Sequence, residues 1–180
     1  MSRVIRTERL ELRPWEGSDV ADAFRIFRAP QVAPWLTPEV AALHTPEAMQ
    51  AELERWHRES GPDAGSEGHW AIVPRGELTV IGSASLQYAP PGGESLTLAW
   101  ALAPHVWGHG YAAEAGDALI HWAIHEGGET EVYALVQPGN ARAAATAERM
   151  GMQWVEELGH LADGRYQVYR MRHGDLVYED

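Results

Sequence analysis

The sequence predicts a single α/β unit of the α+β type across residues 1–180, with about seven strands and about four helices. Three observations predict it. Segments of period two and segments of period 3–4 follow one another with turn residues between them and no linker. The order is strand, two helices, three strands, helix, strand, helix, two strands. A hydrophobic fraction of 45% and a charged fraction of 22% over 180 residues suit a globular chain with a full core.

Taken in order, Thr7 to Leu12 alternates as a half-buried strand does. From Ser18 the apolar residues Val20, Ala23, Phe24 and Phe27 recur at helical spacing, with Ser18 or Asp19 as cap. Pro30, Pro34 and Pro38 interrupt the chain, and Thr45–Pro46 opens a second helix toward Ser60. Gly61 to Gly68 is a polar loop. The runs His69–Val73, Leu78–Gln87 and Leu96–Leu102 read as strands separated by turns at Arg75–Gly76 and Pro90 to Gly93. A helix from Gly110 to His125 ends at Gly127–Gly128. Glu131 to Val136 is a buried strand, and the Ala-rich stretch Asn140 to Met150 is a helix stopped by Gly151. Met152–Glu157 and Arg165–Arg172 are the last strands, around a turn at Asp163–Gly164.

Composition excludes several chemistries. All 14 cationic residues are Arg, and Lys and Cys are absent. Without Lys there is no Walker A loop, Schiff-base enzyme or Ser–Lys nucleophile. Without Cys there is no disulfide, thiol nucleophile or thiolate metal site. A net charge of −12 disfavours a nucleic-acid partner. Arg3, Arg6, Arg9 and Arg13 are interrupted by Glu8 and Glu11 and read as a solvated strand face. The start MSRVIRTERL lacks the apolar run of a signal peptide. The charge-free stretch Ser95 to Ala113 holds Pro104, Gly108 and Gly110, so no membrane helix is expected there. A cytoplasmic address is the resulting expectation.

The informative segment is Leu96 to Glu114, where a strand runs into Gly108-His109-Gly110 and a helix begins at once. Two glycines let successive N–H groups turn into one concavity, and the helix start adds unpaired donors and a positive dipole end. That makes a phosphate site without a cationic side chain. A plain tight turn is the other reading of the same residues. A dinucleotide fold would read Gly108 to Ala113 as G-x-G-x-x-A and want an acid at the end of the next strand. Here that strand ends Val136-Gln137-Pro138, with Glu129 and Glu131 at its wrong end.

The chain resembles the GNAT superfamily of N-acetyltransferases, and its RimJ/RimL branch in particular. The resemblance rests on Thr7-Glu8-Arg9-Leu10-Glu11-Leu12-Arg13-Pro14, on Val106-Trp107-Gly108-His109-Gly110-Tyr111-Ala112-Ala113-Glu114-Ala115, and on Asn140 followed eleven residues later by Gly151-Met152. It implies a mostly antiparallel sheet splayed around an acyl-CoA site, and acetyl transfer from acetyl-CoA to an amine. By the resemblance the pyrophosphate lies on Trp107, Gly108, His109, Gly110, Tyr111 and Ala112. The pantetheine pairs with Trp100, Ala101 and Leu102, Asn140 contacts it, and Arg142 meets a nucleotide phosphate. Asn140 before Ala141 is equally a helix cap.

The family's usual proton-handling positions are changed. The Ser three after the Asn is Ala143, the Tyr seven after it is Ala147, and the strand Glu is Thr97. Remaining candidates are Glu94, Thr97, Tyr111 and Thr146, and none is a clear base. An α-amine of pKa about 8 is roughly one-tenth neutral at pH 7, whereas a lysine near 10.4 is about 1 in 2,500 neutral, a deficit of roughly 4–5 kcal/mol. A site without a base therefore suits a protein N-terminus or another low-pKa amine. The acidic chain also steers cationic acceptors such as ribosomal proteins or polyamine antibiotics. A homodimer is admitted, though no residue pattern specifies one. A non-catalytic acyl-CoA sensor or scaffold of the same fold is the alternative.

Other constellations point elsewhere. His121 and His125 stand at metal-ligand spacing, but Trp122 occupies the place of a metalloprotease Glu, so an exposed helix face and no metal are expected. Ser83 and Ser85 fail the G-x-S-x-G pattern. Glu114 reads as stabilising the first helical turn. Trp35, Trp56 and His69 are candidates for the acceptor pocket, with a surface strand-end histidine as the plainer reading of His69.

Overall fold

Period-two patterning sends alternate residues to opposite faces of one sheet, and each face collects its own helices. The computed structural model describes residues 3–61, 63–89, 93, 95–161 and 164–176. The strands are β1 (Ile5–Arg6), β2 (Leu10–Pro14), β3 (Gly68–Pro74), β4 (Gly82–Ala89), β5 (Ser95–Leu102), β6 (Glu131–Val136), β7 (Gln153–Leu161) and β8 (Gly164–Arg172). They form an eight-stranded sheet in the order β1-β2-β3-β4-β5-β6-β8-β7. Every pairing is antiparallel except that of β5 with β6.

The helices are α1 (Val20–Phe27), α2 (Pro38–Ala41), α3 (Pro46–Glu59), α4 (Tyr111–His125) and α5 (Ala141–Arg149). The α4 residues Ala115, Leu119 and Ala123, with Ile120 and Ile124 beside them, form i, i+4 ridges packed on Leu86, Leu96 and Leu98 of the sheet. Gly116 permits close approach of α5, because a Cβ there would lie 2.2 Å from the Met150 sulfur. On the other face, Ala23, Ile26 and Phe27 of α1 and Met49, Leu53 and Trp56 of α3 pack with Trp15, Ala71 and Val73. Thr45 caps α3 by accepting the Ala48 N–H at 3.1 Å, with Pro46 in its first turn. Asp19, 6% exposed, accepts both guanidinium nitrogens of Arg13 at 2.7 and 2.8 Å and the Glu16 N–H at 2.8 Å, which fixes the entry to α1.

Several expectations shift. The sheet gains the two-residue β1, and the proline-broken segment still forms one helical turn, α2. The expected strand from Leu78 begins only at Gly82, because the Asp22 carboxylate of α1 accepts the Val80 N–H at 2.9 Å and draws that stretch off the ladder. β7 runs past Glu157 to Leu161. Asp163 and Glu94 lie outside the described residues. The four N-terminal arginines do not share a solvated strand face. Arg3 binds the Gly65 and Glu67 carbonyls, Arg6 pairs with Glu11, Arg9 with Glu114 and Arg13 with Asp19. Among the described residues no helix is long and apolar enough to cross a membrane.

Candidate active site

β5 keeps its whole length paired with β4, from Ser95 opposite Ala89 to Leu102 opposite Gly82. Toward β6 it has one register pair, Thr97 with Tyr133. Beyond that point the two parallel strands separate. The Ala103 N–H bonds the Ile81 carbonyl at 2.8 Å, which sets the antiparallel alternation along β4 and β5. Residues 97, 99 and 101 therefore spend their backbone groups on β4, and those of Leu98, Trp100 and Leu102 point to the β6 side. The Leu102 carbonyl accepts the Trp107 indole N–H at 3.0 Å. The peptide groups of Trp100 face the opening, whereas those of Ala101, grouped with them in the sequence reading, are turned to Ser83.

The loop after β5 turns on Gly108 (φ +82) and Gly110 (φ +78), left-handed conformations that L side chains rarely adopt. Gly110 is the N-cap of α4 and has no side-chain cap. The first bond of α4 is from the Glu114 N–H to the Gly110 carbonyl at 3.0 Å, so the donors of Tyr111, Ala112 and Ala113 precede the helical ladder. His109 is exposed, with Nδ1 3.1 Å from the Val106 and Trp107 carbonyls.

A staple from the N-terminal hairpin holds this loop. Arg9 donates to the Glu114 carboxylate at 2.6 Å and to the His109 carbonyl at 2.8 Å, and its guanidinium carbon sits 4.6 Å from the Tyr111 ring centre. The other Glu114 oxygen accepts the Thr7 hydroxyl at 2.5 Å and the Arg9 N–H at 2.9 Å. Burial pushes the Glu114 pKa up, and the bonds from Thr7 and Arg9 outweigh it, holding the group below its ordinary value. Glu114 thus does more than stabilise its own helical turn. Sequence reasoning missed Arg9, since no local pattern announces a partner 105 positions away.

The opening leads into a partly open cleft with a cavity volume of about 100 Å³. Trp100, Ala101, Leu102, Trp107, Ala112, Asn140, Arg142, Ala143 and Thr146 line one part of it. Gln31, Val32, Trp35 and Leu36, between α1 and α2, line the rest. Asn140 caps α5, its Oδ1 accepting the Ala143 N–H at 3.1 Å. Arg142 lays its guanidinium 3.4 Å from the Trp107 ring centre. Thr146 is 3% exposed and donates its hydroxyl to the Arg142 carbonyl at 2.9 Å.

Not every residue singled out by sequence reaches this cleft. The Tyr111 ring lies between Arg9 and His109, 5.8 Å from the latter, and is outside the lining. Thr97 marks the apex of the splay, where its hydroxyl donates to the Ser95 carbonyl at 3.3 Å. Trp56 is no pocket wall: it is 2% exposed and packs on Trp15 and Phe27 in the α1–α3 layer. His69 is not at the surface either. It is 7% exposed and stacked on Trp56 at 4.6 Å, and burial followed by the Arg55 charge lowers its pKa to about 3. Of the three acceptor-pocket candidates, Trp35 alone lines the cleft. Gln31, Val32 and Leu36 went unnoticed because a lining of ordinary apolar and amide side chains between prolines has no motif.

Residues 9–153 match the acetyltransferase (GNAT) domain family. A structure of an acetyltransferase from Agrobacterium tumefaciens str. C58 is similar at 29% identity and TM-score 0.72, covering 94% of each chain. RimL, the ribosomal L7/L12 alpha-N-protein acetyltransferase in complex with coenzyme A, shares the fold at TM-score 0.78 and 15% identity, over 94% of this chain and 98% of that one. So does the ribosomal-protein-S5-alanine acetyltransferase from Vibrio fischeri, at TM-score 0.75 and 18% identity, over 96% and 97%. The matched span takes in Arg9 and Glu114 of the staple, the splayed strands, the glycine loop and α5, and the chain belongs to the GNAT acetyltransferase family.

Proposed function

We propose that the chain is one catalytic domain, acting in the cytoplasm, that moves an acetyl group from acetyl-CoA to a primary amine. The amine would be a protein N-terminal α-amine or that of a small molecule, attacking the thioester directly. One observation carries this reading: the peptide groups of Trp100 face a strand opening that continues into the cleft beside the uncapped start of α4. Acetyl-CoA supplies the activated acetyl thioester. The residues present fit it, since the glycine loop offers open N–H donors and a Cβ at Gly108 would meet nothing within 4 Å.

In this reading the N–H groups from Gly108 to Ala112 receive the pyrophosphate, as a helix start does for any anion. The Trp100 strand edge holds the pantetheine amides, and its N–H polarises the carbonyl oxygen as charge develops there. Asn140 uses its oxygen for the α5 cap and has its amide nitrogen for a pantetheine carbonyl. Arg142 stands at the loop as the cation for a nucleotide phosphate. The hydroxyl of Thr146 exchanges the Arg142 carbonyl for the departing sulfur. Holding amine and thioester in contact supplies much of the acceleration, because effective molarities are large. An α-amine needs far less deprotonation than a lysine side chain.

The test is thiol release from acetyl-CoA with a mixed amine library, alongside CoA binding by titration calorimetry. Release that depends on amine supports transfer. Binding without release across the library supports a non-catalytic acyl-CoA sensor instead. Absence of CoA binding removes both.

A further inference from the structure

The acceptor end of the cleft has a chemistry of its own. Of the cleft's 13 described lining residues, Gln31, Val32, Trp35 and Leu36 form this end, and Trp100 and Trp107 add two further tryptophans to the cleft. Among the described residues the whole cleft lining contains no carboxylate, and its one charged side chain is Arg142, stacked on Trp107 at the glycine-loop end. Val32 is 5% exposed and anchors the segment, while Trp35 stays 42% exposed at the cleft. The net charge of −12 steers cations toward the molecule as a whole, but not by any described side chain lining this pocket.

We propose that the acceptor is an amine with a single ionisable nitrogen beside a bulky apolar or aromatic group, and that Trp35 selects it. The proposal rests on the acetyl-transfer reading. Two physical arguments support it. A second ammonium, as in a polyamine or aminoglycoside, would lie against apolar and aromatic side chains and find no counter-charge among the described lining residues, and a charge that loses water without gaining a partner is disfavoured. The attacking nitrogen must also shed its proton. Apolar surroundings disfavour the charged amine, so the pocket itself does part of a base's task. An apolar group beside the nitrogen fills the tryptophan-lined space and excludes the water that would keep the ammonium solvated. The same chemistry is offered by a peptide whose first residue is apolar and by a free aralkylamine.

The experiment measures thiol release from acetyl-CoA at pH 7.5 with tripeptides beginning Phe, Leu, Gly or Glu, with phenethylamine, and with spermidine and kanamycin. The Phe and Leu peptides or phenethylamine are expected to exceed the Gly peptide and both polycations in kcat/KM by at least tenfold. Peptides outrunning phenethylamine would point to protein N-termini, and the reverse to a small molecule. Trp35→Ala should reduce the preference to less than threefold, and Trp35→Phe should retain most of it. Polycations equal to or faster than the apolar amines would overturn the proposal and leave acetyl transfer standing. So would a preference unchanged in Trp35→Ala. No release with any amine, while CoA still binds, would remove the transfer reading and this inference together.

Discussion

The loop Trp107–Ala112 and the segment Gln31–Leu36 border one cleft and are built by different physics. The loop presents backbone N–H groups, held by two left-handed glycines and the Arg9–Glu114 staple. The segment presents side-chain surface, set between α1 and α2 with no strand or long helix of its own. A backbone cradle tolerates few residues at its turns; an apolar lining can be assembled from many. The first way to break the comparison is Gly110→Val. A non-glycine residue at φ +78 costs about 1–3 kcal/mol, and the branched side chain extends toward the Arg9 guanidinium, 3.5 Å from a Cβ. CoA affinity should fall roughly 5–150-fold by calorimetry, with KM for the amine changed far less. The opposite pattern would mean that loop and segment do not divide donor and acceptor as described.

The two regions should also part company in acid. His69 packs in the α1–α3 layer that carries the segment Gln31–Leu36, and burial holds its pKa near 3 against an ordinary 6.5. It stays neutral in the folded protein while the unfolded chain takes up a proton as pH falls through 6.5. Stability from this group is complete above 6.5 and declines below it, by about 2 kcal/mol at pH 5. Glu114, in the cradle, has its pKa depressed below an ordinary 4.5. Its contribution is present above that value and is lost only as pH drops further. Urea unfolding across pH 4 to 8 should therefore show a decline beginning near 6.5. His69→Phe, which keeps the stack on Trp56, should remove most of it, and Glu114→Gln should alter only the acid end. A decline unaffected by His69→Phe would refute this assignment.

The same division explains what could be read from sequence. The seven main strands, four of the helices and the glycine loop follow from periodicity and turn chemistry, which act locally. The late start of β4 was hidden, because it depends on Asp22 meeting Val80 across 58 positions. His69 and Trp56 were misplaced for a related reason: whether a strand-end histidine is covered depends on where α3 lands. Asn140 lies between these cases, since its cap is local and its cleft position is not. Variants separate the two roles. Asn140→Ala should cost about 1 kcal/mol of stability through the lost cap. Asn140→Asp keeps the cap acceptor and loses the amide donor, so its Tm should hold while KM for acetyl-CoA rises. Equal Tm losses in both variants would show that the cap accounts for nothing.

The smallest effect concerns the side chain that reaches the backbone-built cradle from the last helix. Arg142 of α5 lies flat on Trp107 at 3.4 Å, tying the last helix to the base of the loop. A planar guanidinium can stack there and still present edge donors to a phosphate, which a lysine ammonium cannot do in the same geometry. Such a stack contributes about 0.5–1 kcal/mol where solvent reaches it, as it does at the exposed Arg142. Arg142→Lys should weaken CoA binding by roughly 2–5-fold while keeping its salt dependence, because the charge remains. Arg142→Gln should weaken it further and flatten the salt dependence. If Lys and Gln behave alike, charge plays no part and stacking alone positions the loop; if Lys matches the parent, the stack is dispensable and the cradle is backbone throughout.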